Sequence, residues 1–219
     1  MRRRVGLLGG SFNPAHDGHR YVSELALKQL QLHQVWWVIS PQNPLKSTSE
    51  IAPFEKRCAV AKSVASHPQI RVSDIERRIG TSHTVDTITV LQARFPEIRF
   101  VWLMGADILL ELPHWKRWRY LFHRVPIAVY PRPTYSLRAL SSMAARSFAG
   151  ARVPERQVHC LADMRPPAWT FLQVRPHGQS ATRIRAQRRR SSSGRSRGAE
   201  DQEDQARRET KLSPETQAN

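Results

Sequence analysis

Cysteine is scarce in this chain: two stand among 219 residues, Cys58 and Cys160. Neither belongs to a Cys-x-x-Cys pair, so the sequence offers no zinc ribbon and no dithiol redox site. Two reduced structural thiols fit a protein of the reducing cytosol. Long apolar runs are missing as well. The most apolar stretches, Val35–Ile39 and Phe100–Met104, fall far short of the roughly 20 residues a helix needs to cross a bilayer. The basic start Met1-Arg-Arg-Arg is followed by Gly9-Gly10 and polar residues, which leave too short an apolar stretch for a secretory signal. A cytoplasmic protein without a membrane segment is expected. Acidic residues are few, 18 against 35 Lys and Arg, for a net charge of +17. That excess favours polyanionic partners (nucleotides, nucleic acid, anionic lipid) without choosing among them. Neither a Gly-Lys-Ser/Thr phosphate loop nor a Gly-x-Gly-x-x-Gly fingerprint is present.

What is present is alternation. Short apolar runs suited to buried strands occur at Val5–Leu8, Val35–Ile39, Ile70–Asp74, Phe100–Met104, Ile127–Tyr130 and Trp169–Val174. Segments with helical spacing lie between them: His19–Leu32, Pro53–Ala65 with Pro53 in the first turn, Thr84–Phe95 with Thr84 as N-cap, Trp115–Phe122 and Ser136–Phe148. Strands apolar on both faces that alternate with helices predict an α/β fold: a Rossmann-like, doubly wound parallel sheet with helices on both faces. In such folds ligands bind outside the carboxyl ends of the strands, so the loops after Leu8, Ile39, Met104 and Tyr130 can share one site. A folded domain is expected over residues 1–187. Residues 188–219 contain one strongly hydrophobic residue, Leu212, and read as a low-complexity, disordered tail.

The first strand runs into Gly9-Gly10-Ser11-Phe12-Asn13-Pro14-Ala15-His16-Asp17-Gly18-His19. Two glycines let the backbone turn sharply and approach a ligand closely. His16 and His19, three residues apart at a helix start, bring two imidazoles to an end where N–H groups and the helix dipole favour an anion. Imidazoles there can donate hydrogen bonds to phosphate oxygens, and if protonated they add charge. Two surface histidines on a glycine turn, or a metal-binding pair, are the plainer readings. The strand–Gly-Gly–helix context favours phosphate.

The segment Gly-Gly-Ser-Phe-Asn-Pro-x-His-x-Gly-His resembles the signature of the nucleotidylyltransferase superfamily, in the form found in bacterial nicotinate mononucleotide adenylyltransferases. The resemblance runs from about Val5 to Arg185, with several motifs in the family's order. It implies that Gly9, Gly10, Ser11, Phe12, His16 and His19 hold ATP. In Ser40-Pro-Gln-Asn-Pro-Leu-Lys46 it makes Lys46 a phosphate-binding cation, with Arg57 on the following helix another. Thr81-Ser-His-Thr-Val-Asp-Thr-Ile88 is similar to a family helix start at which N–H groups near Thr84 and Val85 bind the pyridine carboxylate, and there Asp86 would organise the turn. In Met104-Gly-Ala-Asp107, Gly105 would admit adenosine and Asp107 would order the substrate site. In Leu112-Pro-His-Trp-Lys-Arg-Trp118, Trp115 would stack on the pyridine ring, while Trp118 is better suited to the core. Arg132 resembles an arginine that contacts the mononucleotide phosphate. Gly178-Gln-Ser-Ala-Thr-Arg-Ile-Arg185 would bring Ser180, Thr182 and Arg185 to the ATP phosphates, with Ala181 where the family has a second serine.

The resemblance implies transfer of AMP from ATP to nicotinate mononucleotide, giving deamido-NAD and pyrophosphate. His16, His19, Lys46 and Arg185 would be the catalytic groups. Mg²⁺ would arrive with ATP, held by phosphates and water rather than by protein ligands. No specific nucleic acid and no membrane are expected as partners, and a homodimer is compatible with the reading. The alternatives are a sister adenylyltransferase acting on nicotinamide mononucleotide or phosphopantetheine, or a basic nucleotide- or RNA-binding protein without catalysis. His16 and Trp115 argue against the phosphopantetheine enzyme, and the intact His16, His19, Lys46 and Thr182 against loss of catalysis.

Overall fold

The computed structural model describes residues 2–41, 51–81, 83–133 and 135–175, together with Gln179, Ala181, Ile184 and Arg185. Residues 1–179 form one compact unit and residues 180–219 a second, within which Ala181, Ile184 and Arg185 are helical. The tail expected from residue 188 lies outside the described residues.

The larger unit is built on six parallel strands: β1 (Arg3–Gly10), β2 (Gln34–Ile39), β3 (Ile70–Ser73), β4 (Ile98–Gly105), β5 (Ile127–Tyr130) and β6 (Trp169–Phe171). Their spatial order is β3-β2-β1-β4-β5-β6. Both neighbours of β1 are parallel to it, with Leu7 level with Trp36 on one side and Trp102 on the other. The order reverses between β1 and β4, which opens the crevice where such sheets bind ligands. This is the expected doubly wound α/β architecture.

The central strands are apolar over their buried stretches because each face of the sheet is covered. Val5, Leu7, Phe100, Trp102, Met104, Ile127, Val129 and Trp169 point into one core. Leu8, Val35, Trp37, Val101, Leu103, Ala128 and Tyr130, on the opposite face of the same sheet, point into the other. Ile75 of α3 (Ile75–Ile79), Ile88 of α4 (Thr84–Arg94), Leu109 of α5 (Ala106–Glu111), Phe122 of α6 (Trp118–Arg124), Ala139 of α7 (Ser136–Leu140) and Ala144 of α8 (Met143–Ser147) close the first core. Ala26 of α1 (Asp17–Gln29), Ala61 of α2 (Phe54–Val64) and Leu161 of the 3-10 stretch Glu155–Asp163 close the second.

Several boundaries differ from expectation for local reasons. The helix expected over 136–148 is two, because the Ser142 hydroxyl accepts from Ala145 N–H at 3.2 Å and starts a new helix. Pro53 is the N-cap of α2 rather than a first-turn residue. His83, not Thr84, is the N-cap of α4, and Thr84 is its first helical residue. α6 begins at Trp118, so Trp115 stands outside it, after the 3-10 turn Leu112–His114. β6 stops at Phe171, short of the Val174 expected.

Candidate active site

The start of α1 lies just beyond the carboxyl end of β1, and two histidines cap it. His16 is the N-cap, extended at φ −154° and ψ 167°. Its Nδ1 accepts from Gly18 N–H at 3.1 Å. In return His16 N–H donates to Nδ1 of His19 at 3.2 Å. This is a reciprocal capping box with imidazoles in place of the usual hydroxyl and carboxylate. Each Nδ1 is an acceptor, so the proton of each neutral ring lies on Nε2. The ring centroids are 3.9 Å apart.

A dense wall backs the pair. The Phe12 ring is 4.7 Å from that of His19 and stacks at 5.2 Å on Trp37. Trp37 Nε1 donates to Ser23 Oγ at 2.7 Å, and that hydroxyl donates to the His19 carbonyl at 2.8 Å. His19 keeps an edge open while His16 is buried. Burial, above all, holds the His19 ring well below the ordinary imidazole value. The neighbouring His16 and Arg132 lower it further, and the hydrogen bond from His16 opposes them. His19 is therefore a neutral donor near pH 7, so its contribution is a directed N–H rather than a positive charge.

The glycines of the site make room chiefly for the protein's own side chains. A Cβ on Gly18 would lie 2.8 Å from the His16 ring and 3.3 Å from the Gln179 carbonyl. Gln179 Oε1 also accepts from Asp17 N–H at 3.1 Å, so the end of the larger unit is seated on the α1 N-terminus. At Gly9, expected to let a ligand approach closely, the Trp102 indole lies 2.3 Å from the Cβ position. At Gly105, expected to admit adenosine, the equivalent space holds Asp107 Oδ1 at 2.3 Å and Arg132 Nε at 2.8 Å.

Asp107 and Arg132 form an ion pair at 3.5 Å over the end of β4, and Asp107 Oδ1 is buried without a hydrogen bond. Arg132 lies close enough to His19 to lower its basicity. The carboxyl ends of β1, β4 and β5 thus bring His19, Asp107 and Arg132 together, although Asp107 and Arg132 are 25 residues apart in sequence.

Arg57 has a different occupation from the expected one. It is 3 % exposed. Its Nε donates to Ala52 O at 3.0 Å, Nη1 to Ser11 O at 2.6 Å and Ser40 O at 2.9 Å, and Nη2 to Pro41 O at 2.9 Å. Where the sequence suggested a phosphate-binding cation, the structure shows a fork among backbone carbonyls. It ties the loop after β1 to the end of β2 and grips the chain just before and just after residues 42–50. Asn13 Oδ1 adds to this by accepting from Ala52 N–H at 3.2 Å.

On the other side of the crevice, His83 gives α4 no side-chain cap. Val85 is buried and Thr84 partly exposed in the first turn. Asp86 pairs with Arg117 and, at 3.8 Å, with Lys116. Arg117 stands in the left-handed region at φ 51°. This carboxylate ties the α4 start to the segment that carries Trp115, which is half-buried against the core, whereas Trp118 is buried in it. Asp86 was expected to organise its own turn, and it reaches across to the facing segment as well.

Lys46, Ser180 and Thr182 lie outside the described residues. Arg185 is described, within the second unit. Among the described residues no group of three or more His, Cys, Asp and Glu could hold a metal ion, and no helix is long and apolar enough to cross a membrane. The sequence reading missed the Arg132–His19 proximity and the role of Gln179. Both arise from chain crossings that leave no periodic signal.

Residues 7–187 match the cytidylyltransferase-like family model. A protein of Parvibaculum lavamentivorans, named probable nicotinate-nucleotide adenylyltransferase, is 53% identical over 182 residues, covering 83% of this chain and 90% of the relative. One of the same name from Gluconacetobacter diazotrophicus is 50% identical over 185 residues, covering 84% and 86%. Among solved structures, Plasmodium falciparum nicotinic acid mononucleotide adenylyltransferase complexed with NaAD superposes with a TM-score of 0.61. It covers 84% of this chain and 83% of that one, and at 16% identity it speaks for the fold alone.

Proposed function

Because the chain belongs to the cytidylyltransferase-like family, we propose that it transfers AMP from ATP to nicotinate mononucleotide in the making of NAD. The names of relatives about half identical along most of its length support that substrate. The observation that carries the chemistry is the pair of mutually capping histidines at the α1 N-terminus, at the point where the strand order reverses.

In this reading an oxygen of the mononucleotide phosphate attacks the α-phosphorus of ATP in line. A P–O bond forms there as the bond to the bridging oxygen breaks, and pyrophosphate leaves with the electron pair. The attacking phosphate is already anionic, so no general base and no covalent intermediate are required. Catalysis consists of positioning and charge stabilisation. His16 and His19 donate through Nε2 to the ATP phosphates at the helix end. Lys46, Arg132, Arg185, Ser180 and Thr182 supply further donors and countercharge. Arg57 acts indirectly, by holding the loops. Mg²⁺ enters as part of the substrate, Mg·ATP, bound by phosphate oxygens and water.

The pyridine end of the mononucleotide lies at the α4 start. Its carboxylate takes N–H groups near Thr84 and Val85, and its ring stacks on Trp115. Asp107 orders the pocket through Arg132. The reaction runs in the cytoplasm. To test this, purified protein is given ATP, Mg²⁺ and nicotinate mononucleotide, and pyrophosphate release is measured. Parallel reactions contain nicotinamide mononucleotide or phosphopantetheine. Preference for either of those as acceptor would replace the substrate assignment, and folded protein releasing no pyrophosphate with any acceptor would favour a binding protein.

A further inference from the structure

Glu76 is a buried acid that the reaction does not use. It is 5% exposed, in α3 just after β3. No cationic side chain among the described residues pairs with it. Its Oε1 accepts from Thr87 Oγ1 at 3.0 Å, and its carboxyl also accepts from the Ser40 hydroxyl at the end of β2. Thr87 Oγ1 lies 2.8 Å from Thr81 Oγ1 and 3.3 Å from the carbonyl of His83, the α4 N-cap. Thr81 N–H in turn donates to the Glu76 carbonyl at 3.1 Å. Side chain and backbone of one residue therefore hold the α3–α4 corner, the first turn of α4 and the carboxyl end of β2.

We infer that Glu76 is a positioning residue for the pyridine mononucleotide, fixing the α4 N-terminus where the substrate carboxylate must meet it. The inference rests on the assignment of that carboxylate to the N–H groups near Thr84 and Val85. A fully connected buried polar network is rigid, whereas an acid left unsatisfied there would be costly. An anion-binding helix end acts through a few N–H groups over short distances, so a displacement of about 1 Å is felt in substrate affinity. Burial pushes the Glu76 carboxyl up from its ordinary value, and the hydrogen bonds from Thr87 and Ser40 oppose that shift.

The test compares Glu76→Ala, Glu76→Gln and Thr87→Val with wild type. For each, KM is measured for ATP and for the acid and amide mononucleotides, with thermal melting as a check on folding. Glu76→Ala and Thr87→Val should raise KM for nicotinate mononucleotide about tenfold and cut the acid-over-amide ratio of kcat/KM about fivefold, with KM for ATP within about twofold of wild type. Glu76→Gln keeps an acceptor for Thr87 and should preserve the ratio within about twofold. Thr87→Val is nearly isosteric and decides the matter if Glu76→Ala does not fold. A folded Glu76→Ala or Thr87→Val enzyme with an unchanged ratio overturns the inference, whether its KM values are unchanged or rise equally for both substrates. Wild type without preference for the acid overturns instead the carboxylate assignment beneath it.

Discussion

His16 and His19 cap one helix end for each other, each accepting a backbone N–H through Nδ1. One geometry thereby fixes the ring orientation, the tautomer and the end of α1. The capping duty rests on Nδ1 and the donor on Nε2 of the same rings, so the two can be separated by substitution.

Asn at position 16 retains an N-cap acceptor but lacks the Nε2 donor. His16→Asn should leave unfolding free energy within about 0.5 kcal/mol of wild type, whereas His16→Ala should lose about 1 kcal/mol. Both should lower kcat by about 10²-fold. Urea unfolding beside steady-state rates would show whether the two effects separate.

His19→Ala removes a donor and also the N3 side of the capping box. Turnover should fall about 10²- to 10³-fold. The protein should remain folded, with a modest drop in melting temperature visible by circular dichroism. Wild-type turnover in the folded variant would remove His19 from the reaction.

The low basicity of His19 gives two opposite-limb expectations. Because the folded ring resists protonation, the unfolded chain binds the extra proton as pH falls through the ordinary histidine value of about 6.5. Stability from this group is full above that value and declines below it. At saturating substrates, kcat should not fall as pH rises from about 6.5 to 8, since no imidazolium is being lost. Arg132→Gln should move the His19 titration upward, observable in the NMR shift of its ring protons, because one positive neighbour is gone.

Arg57→Lys keeps a charge and loses the fork. A lysine cannot reach four carbonyls in the arrangement that the guanidinium meets. Stability should fall by about 2 kcal/mol in urea titration, as buried carbonyls lose donors. A variant as stable as wild type would show that the fork is dispensable.

The parallel sheet was legible because strands buried on both faces read as short apolar runs, and Val35–Ile39 and Phe100–Met104 are clear examples. The His16–His19 pair was legible for a different reason: residues three apart at a helix start must meet. The carbonyl fork of Arg57 was not legible, because a lone arginine in sequence carries no sign of what it faces, and only the packing of α2 against loop carbonyls makes it a staple. The surroundings of Gly9 and Gly105 were hidden for the same reason. Their missing side chains reflect Trp102, Asp107 and Arg132 from elsewhere in the chain. Glu76 gave no signal at all, since an acid in a helix amid arginines reads as solvated until its burial is seen.

The central claim, transfer of AMP to nicotinate mononucleotide, is tested most directly by following a label on the α-phosphate of ATP. With Mg²⁺ and nicotinate mononucleotide present, the account predicts that the label appears in nicotinate adenine dinucleotide, with one unlabelled pyrophosphate released per dinucleotide. Label that stays in ATP, or appears only as AMP, would contradict it.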